Sequence, residues 1–214
     1  MSDDARTWTL IHSERKALAA TLAALTPAQW EQRSLCAAWT VRDMAAHVLI
    51  GAEQTTGRFV RGIAATGFRF NAMTERDVRS LGGLSPEQIV DRLIQRTSTT
   101  NHPPAPVMAM LGEVVVHGED IRRPLGVTGA VADDAANACL QMYTKASFPV
   151  GGRKRIGGLR LVATDTGWSY GSGPEVSGQA LSLLLAMTGR AAGIDGLAGD
   201  GVATLSQRIS TGAR

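Results

Sequence analysis

Glu113-Val-Val-Val-His117 sets a carboxylate and an imidazole four residues apart, in a segment that ends at Pro124. On a helix, residues i and i+4 share a face, so both side chains could reach one metal ion. Upstream, Thr40-Val-Arg-Asp-Met-Ala-Ala-His47 brings a second imidazole on another expected helix. Three such ligands from two helices leave a fourth position open, as catalytic zinc sites do and structural ones do not. The same spacing also suits an exposed or salt-bridged helix face, so spacing alone leaves both readings open. Four other residues are weaker candidates. His12 borders a core stripe, and His102 lies in a proline break. Glu53 sits six residues from His47 and points about 120° off its face. Asp43 serves equally well as a helix cap or as a partner to His47.

Helices must position these groups, and the sequence predicts four of them early: 4–25, 40–65, 85–100 and 107–123. Trp8, Ile11, Leu18, Leu22 and Leu25 mark a core-facing stripe on the first. Thr26-Pro-Ala-Gln29 starts a short helix, with Leu25 and Trp30 placed as its staple. Thr40 and Asp43 form a capping box, and Ser85-Pro-Glu-Gln88 repeats that logic. Residues 67–84 show no period and read as a long loop, with Phe68, Phe70 and Met73 either lining a pocket or, as the simpler reading, covering the bundle end. Within 107–123 the run Val114-Val115-Val116 leans locally to strand, but the polar end and the stop at Pro124-Leu-Gly126 favour a helix.

The expected fold is mainly α: a four-helix bundle over 1–148, including a fifth helix at 133–147, followed by a small α+β module over 149–214. In that module 151–158 reads as a basic linker or turn. Leu159–Ala163 and Trp168–Tyr170 read as a hairpin, and 178–190 and the segment after Gly199-Asp-Gly201 as helices.

Composition excludes some classes. At 214 residues, 44% hydrophobic and 19% charged, the chain fits a globular protein with a real core. No apolar run reaches the ~20 residues of a membrane span, and no apolar signal core follows Met1, so a cytoplasmic location is expected. Cys36 and Cys139 form no CxxC pair and are expected to be reduced. The net charge of +3 does not point to nucleic acid, because the basic residues are dispersed and lack interleaved aromatics. Nineteen of the 22 basic residues are Arg, which with the wealth of Ala and Gly reads as the signature of a GC-rich genome. A monomer or a homodimer is expected.

Three stretches together carry a resemblance: Cys36-Ala-Ala-Trp-Thr-Val-Arg-Asp-Met-Ala-Ala-His47, Glu113-Val-Val-Val-His-Gly-Glu-Asp-Ile-Arg-Arg-Pro-Leu-Gly126, and Thr164-Asp-Thr-Gly-Trp-Ser-Tyr-Gly171. In this order they resemble actinobacterial proteins of the mycothiol-dependent maleylpyruvate isomerase family, whose N-terminal part is a DinB-like bundle. The resemblance extends to Leu184–Arg190 and Gly199–Gly201. It implies a zinc ion on His47, Glu113 and His117, and mycothiol as the thiol. Zinc with two neutral imidazoles and one carboxylate keeps a charge near +1 and would deprotonate an entering thiol. A free thiol of pKa ~8.5 is only a few per cent ionised at pH 7. Addition of the sulfur to an activated double bond, rotation and elimination would isomerise a small electrophile; addition alone would transfer the sulfur to it. Arg190 suits either a substrate carboxylate or the closing of a helix C-terminus. Two other functions stand beside this one: a metal-assisted hydrolase, with Glu119 or Asp120 as base, and a non-catalytic bundle that binds a small molecule or a partner protein.

Overall fold

The computed structural model describes residues 2–129, 131–147 and 151–212. The chain forms two compact units, Met1–Ala130 and Val131–Arg214.

In the first unit four helices form the bundle: α1 (Asp3–Ala23), α3 (Val41–Glu53), α6 (Pro86–Gln95) and α7 (Val107–Arg122). α1 packs on α6 and α7, and α3 packs on the same two, so α1 and α3 stand diagonally across the bundle. Ile11, Leu18, Leu49, Ile89, Leu93 and Leu111 meet in its core without solvent exposure. The valine run lies within helix α7, and Val114, Val115 and Val116 are all buried. Burying each valine is worth about 1.5–3 kcal/mol, against a helix-propensity cost below about 0.7 kcal/mol, so packing decides the conformation.

The expected caps form. Thr26 starts α2 (Pro27–Trp30) with a capping box, and Trp30 is buried. At the start of α3, Thr40 Oγ1 accepts from the Asp43 amide at 3.2 Å, while Asp43 Oδ2 accepts from the Thr40 amide at 2.9 Å. Asp43 therefore caps the helix that carries His47. Thr40→Ala is expected to lower stability by about 1 kcal/mol, measured by urea unfolding.

Two expectations about this unit are corrected. The helix expected over 40–65 is broken: Gln54 is extended (ψ 132°), and α4 (Thr56–Ala65) begins anew, with Thr55 Oγ1 accepting from the Arg58 amide at 3.2 Å. The hydroxyl of Thr55 offers a local cap that competes with helix continuation. The segment 67–84 is not a loop but holds α5 (Phe70–Ser80), anchored by Met73 and Val78. With only those two residues buried, its apolar period is too sparse to read. Phe68 is 79% exposed and covers little, whereas Met73 is buried.

In the second unit α8 (Asp133–Tyr143) packs against α10 (Ala180–Met187), so the boundary between units falls at 130/131 and not at the expected 148/149. Of the fifth helix expected at 133–147, α8 accounts for 133–143. The basic stretch expected as a linker contains a short helix, α9 (Gly152–Ile156), with Ile156 buried. The hairpin forms as β1 (Arg160–Ala163) and β2 (Ser169–Tyr170), antiparallel. Two further strands extend it: β3 (Glu175–Gly178), parallel to β1, and β4 (Leu197–Ala198), antiparallel to β3, giving the order β2-β1-β3-β4. Strands of four and two residues are too short for an alternation to show in sequence. Asp165, in the turn after β1, accepts from the Ala180 amide at 2.9 Å and so caps α10. α11 (Val202–Gly212) buries Leu205 and Ile209. Among the described residues no helix is long and apolar enough to cross a membrane.

Candidate metal centre

The α3–α7 contact places the three expected ligands together. His47 faces α7 from the second turn of α3, and Glu113 and His117 stand one turn apart on α7. His47 Nε2 lies 2.6 Å from Glu113 Oε1, and His117 Nε2 lies 3.5 Å from the same oxygen. The imidazoles meet edge to face with centroids 4.8 Å apart. One ligand atom from each of the three residues lies within 4.8 Å of the other two. Gly51, one turn beyond His47, lies against Glu113: a Cβ there would make an ordinary van der Waals contact, 3.7 Å from Glu113 Cγ.

Behind this cluster stands Asp120, whose side chain is fully buried, with Oδ2 2.8 Å from His117 Nδ1. A buried carboxylate accepts, so Nδ1 carries the proton and donates it. Nε2 of the neutral ring is then an acceptor turned toward the Glu113 oxygen. Two acceptors face to face require a cation or a proton between them. The donor types suit a divalent ion. Two ligand atoms each about 2.1 Å from zinc stand roughly 3.4 Å apart in a tetrahedron. The 3.5 Å between His117 and Glu113 meets that spacing, whereas His47 and Glu113, at 2.6 Å, stand at hydrogen-bond distance and must part to admit the ion. The buried carboxylate hydrogen-bonded to a ligand imidazole is the usual support for such a site.

The loop before α3 completes the wall. The Leu35 amide donates to the Asp120 carbonyl at 2.9 Å, and the Ser34 amide to the Trp39 carbonyl at 3.0 Å. This pins the loop to α7 and brings the Trp39 ring to 5.1 Å from His47. The side chains of His47 and His117 keep 14% and 17% exposure and that of Glu113 keeps 33%, so the cluster is sheltered yet open to a small molecule.

The other candidates lie elsewhere. Glu53 is buried in an ion pair with Arg92 at 2.7 Å. His12 Nε2 is 3.3 Å from the Thr99 carbonyl, and His102 Nδ1 is 2.7 Å from that of Pro103; both rings lie near Trp8. Glu119 is tied to Arg123 at 3.0 Å and to Arg122 at 3.5 Å. Cys36 and Cys139 are free thiols. Arg190 donates from Nη1 to the Thr188 carbonyl at 3.1 Å, closing the end of α10, which is the second of its two expected roles. The orienting part played by Asp120 was not drawn from the sequence, although its position three residues after His117 on one helix face was the available signal.

Comparison with known proteins agrees with this architecture. Residues 11–102 match the family described as the mycothiol maleylpyruvate isomerase N-terminal domain. The crystal structure of a mycothiol-dependent maleylpyruvate isomerase is similar over 93% of both chains, with a TM-score of 0.65 and 16% identity. A crystallised point variant of a mycothiol-dependent maleylpyruvate isomerase gives 0.63 and 15% over the same shares. At these identities the likeness is one of fold. No curated protein matches the chain.

Proposed function

We propose, for a chain whose residues 11–102 match the mycothiol maleylpyruvate isomerase N-terminal domain family, that His47, Glu113 and His117 hold zinc and that the protein uses mycothiol on a small electrophile of the maleylpyruvate type. The reaction is isomerisation of that electrophile or transfer of sulfur to it. The observation that carries this reading is the meeting of the three ligand atoms within 4.8 Å. Zinc, when bound, supplies the Lewis acidity that ionises a thiol near neutral pH.

The chain's own residues prepare the site. Asp120 fixes the His117 tautomer so that Nε2 presents its lone pair. Glu113 contributes the single negative charge of the ligand set. Trp39 and the pinned loop 34–39 limit water at His47. Arg190 has its helix-closing contact, and a substrate contact from it is not required by this reading.

Hydrolysis would need a free base beside the metal. Both bases proposed for it are engaged: Asp120 with His117, and Glu119 with two arginines.

The deciding experiment titrates mycothiol into zinc-loaded protein by calorimetry, with zinc-free protein as control. Binding that requires zinc is expected. Full zinc occupancy without thiol binding would discard the thiol chemistry, and no divalent metal in protein purified without chelator would leave a non-catalytic bundle. Asp120→Asn is expected to weaken zinc affinity about 10–100-fold, measured by competition with a chromogenic chelator.

A further inference from the structure

We infer that α4 and α5 form, with the end of α3, a binding pocket for a small organic or inorganic oxyanion, held by Arg58, Arg61 and Arg76 with Gln54. These helices line an open cleft of about 360 Å³ whose lining includes those four residues, Gly62 and Asp77. Three arginines against one aspartate leave the lining with a formal charge of +2.

The neighbouring carboxylates do not neutralise this excess. Asp77 is taken by Arg76, with Nε and Nη2 at 3.1 and 2.7 Å from Oδ1. Glu53 accepts from Arg92 at 3.2 and 2.7 Å; Arg58 makes a longer ion pair with it at 3.7 Å, and its Nη1 donates to the Glu53 backbone carbonyl at 3.3 Å. Arg61 has no ion pair among the described residues. Gln54 is 8% exposed, and its side-chain amide finds no hydrogen-bond partner among the described residues while lining the cleft. Guanidinium forks and a neutral amide donor are the groups that bind carboxylate or phosphate oxygens.

Gly62 keeps the cradle open. A Cβ there would lie 3.1 Å from Arg76 Nη2 and 3.0 Å from Met73 Sδ, so a side chain at this position would push on the Arg76 fork where it lies against α4.

The pocket also has a place relative to the metal centre. Gln54 follows His47 by seven residues, two helical turns, so its Cα is on the same face roughly 10 Å along. The lining includes none of the three metal ligands, so the anion site stands independently of the thiol chemistry proposed above.

The test measures succinate and inorganic phosphate binding to metal-free protein by calorimetry at low ionic strength. It compares the unaltered chain, Arg61→Gln and Arg58→Gln/Arg61→Gln, with helical content checked by circular dichroism. Binding of at least one anion is expected, about tenfold weaker in Arg61→Gln, weaker again in the double variant, and reduced by salt. Tighter succinate identifies a carboxylate ligand, and tighter phosphate a phosphorylated one. No binding of either anion, or binding that both variants retain, overturns the pocket. His117→Ala, run in parallel, keeps anion binding if the pocket is sound, so loss of the metal site and loss of the pocket are read separately.

Discussion

His117→Ala is expected to abolish zinc binding and, with it, thiol-dependent turnover. Removing an outer partner of a ligand costs about 10–100-fold in metal affinity, and removing the ligand itself costs more. Two donors remain, His47 and Glu113, already 2.6 Å apart and able to satisfy one another by a hydrogen bond. The variant should therefore lose its ion on dialysis yet stay folded. Its side chain is 17% exposed, and alanine is the best helix former. Elemental analysis and unchanged helical circular dichroism check both halves. Glu113→Gln should behave in the same way, since it removes the only negative charge of the set. Zinc at full occupancy in His117→Ala would show that the ion is held elsewhere.

The second large effect is one of stability. Arg122→Ala is expected to cost roughly 3–5 kcal/mol, the range for breaking a buried ion pair by removing one partner. Arg122 is 2% exposed, and its partner Glu119 is 4% exposed. Its guanidinium spans from Glu119 Oε1 at 3.5 Å to Thr21 Oγ1 at 3.4 Å, bridging α7 and α1. Two glycines make room for it: a Cβ on Gly129 would sit 2.5 Å from Arg122 Nε, and one on Gly118 would sit 2.9 Å from Nη1. Arg123 Nε stays 3.0 Å from Glu119, so the orphaned carboxylate keeps one partner and the loss should lie toward the lower end. Urea unfolding measures it. The double variant Arg122→Met/Glu119→Leu should recover much of the loss, because it removes both charges and fills the space. A single variant within 1 kcal/mol of the unaltered chain would mean that the pair contributes little.

Local signals were legible where one short motif decides the outcome. The capping boxes at Thr26, Thr40 and Ser85 each act over three residues, and each forms. The hairpin with Gly167 in its turn is likewise local: Gly167 adopts φ +70°, open to glycine at no steric cost. Where two local signals compete the sequence was ambiguous. Thr55 as a cap stands against continuation of α3, and the valine run against its helix. Packing resolved the second, and the local Thr55 cap the first. The strand β3 depends on a partner in β1 some fifteen residues away, and no local pattern reports such a pairing.

The sequence by itself determined the ligand types, the i,i+4 spacing of Glu113 and His117, and the capped helix that carries His47, because these follow from helix periodicity and capping chemistry. Only the tertiary structure decided that α3 and α7 meet at those residues and that Asp120 is buried behind His117. Each of these depends on which helix faces are removed from water together. That choice is made by the whole core at once and is not written in any one segment.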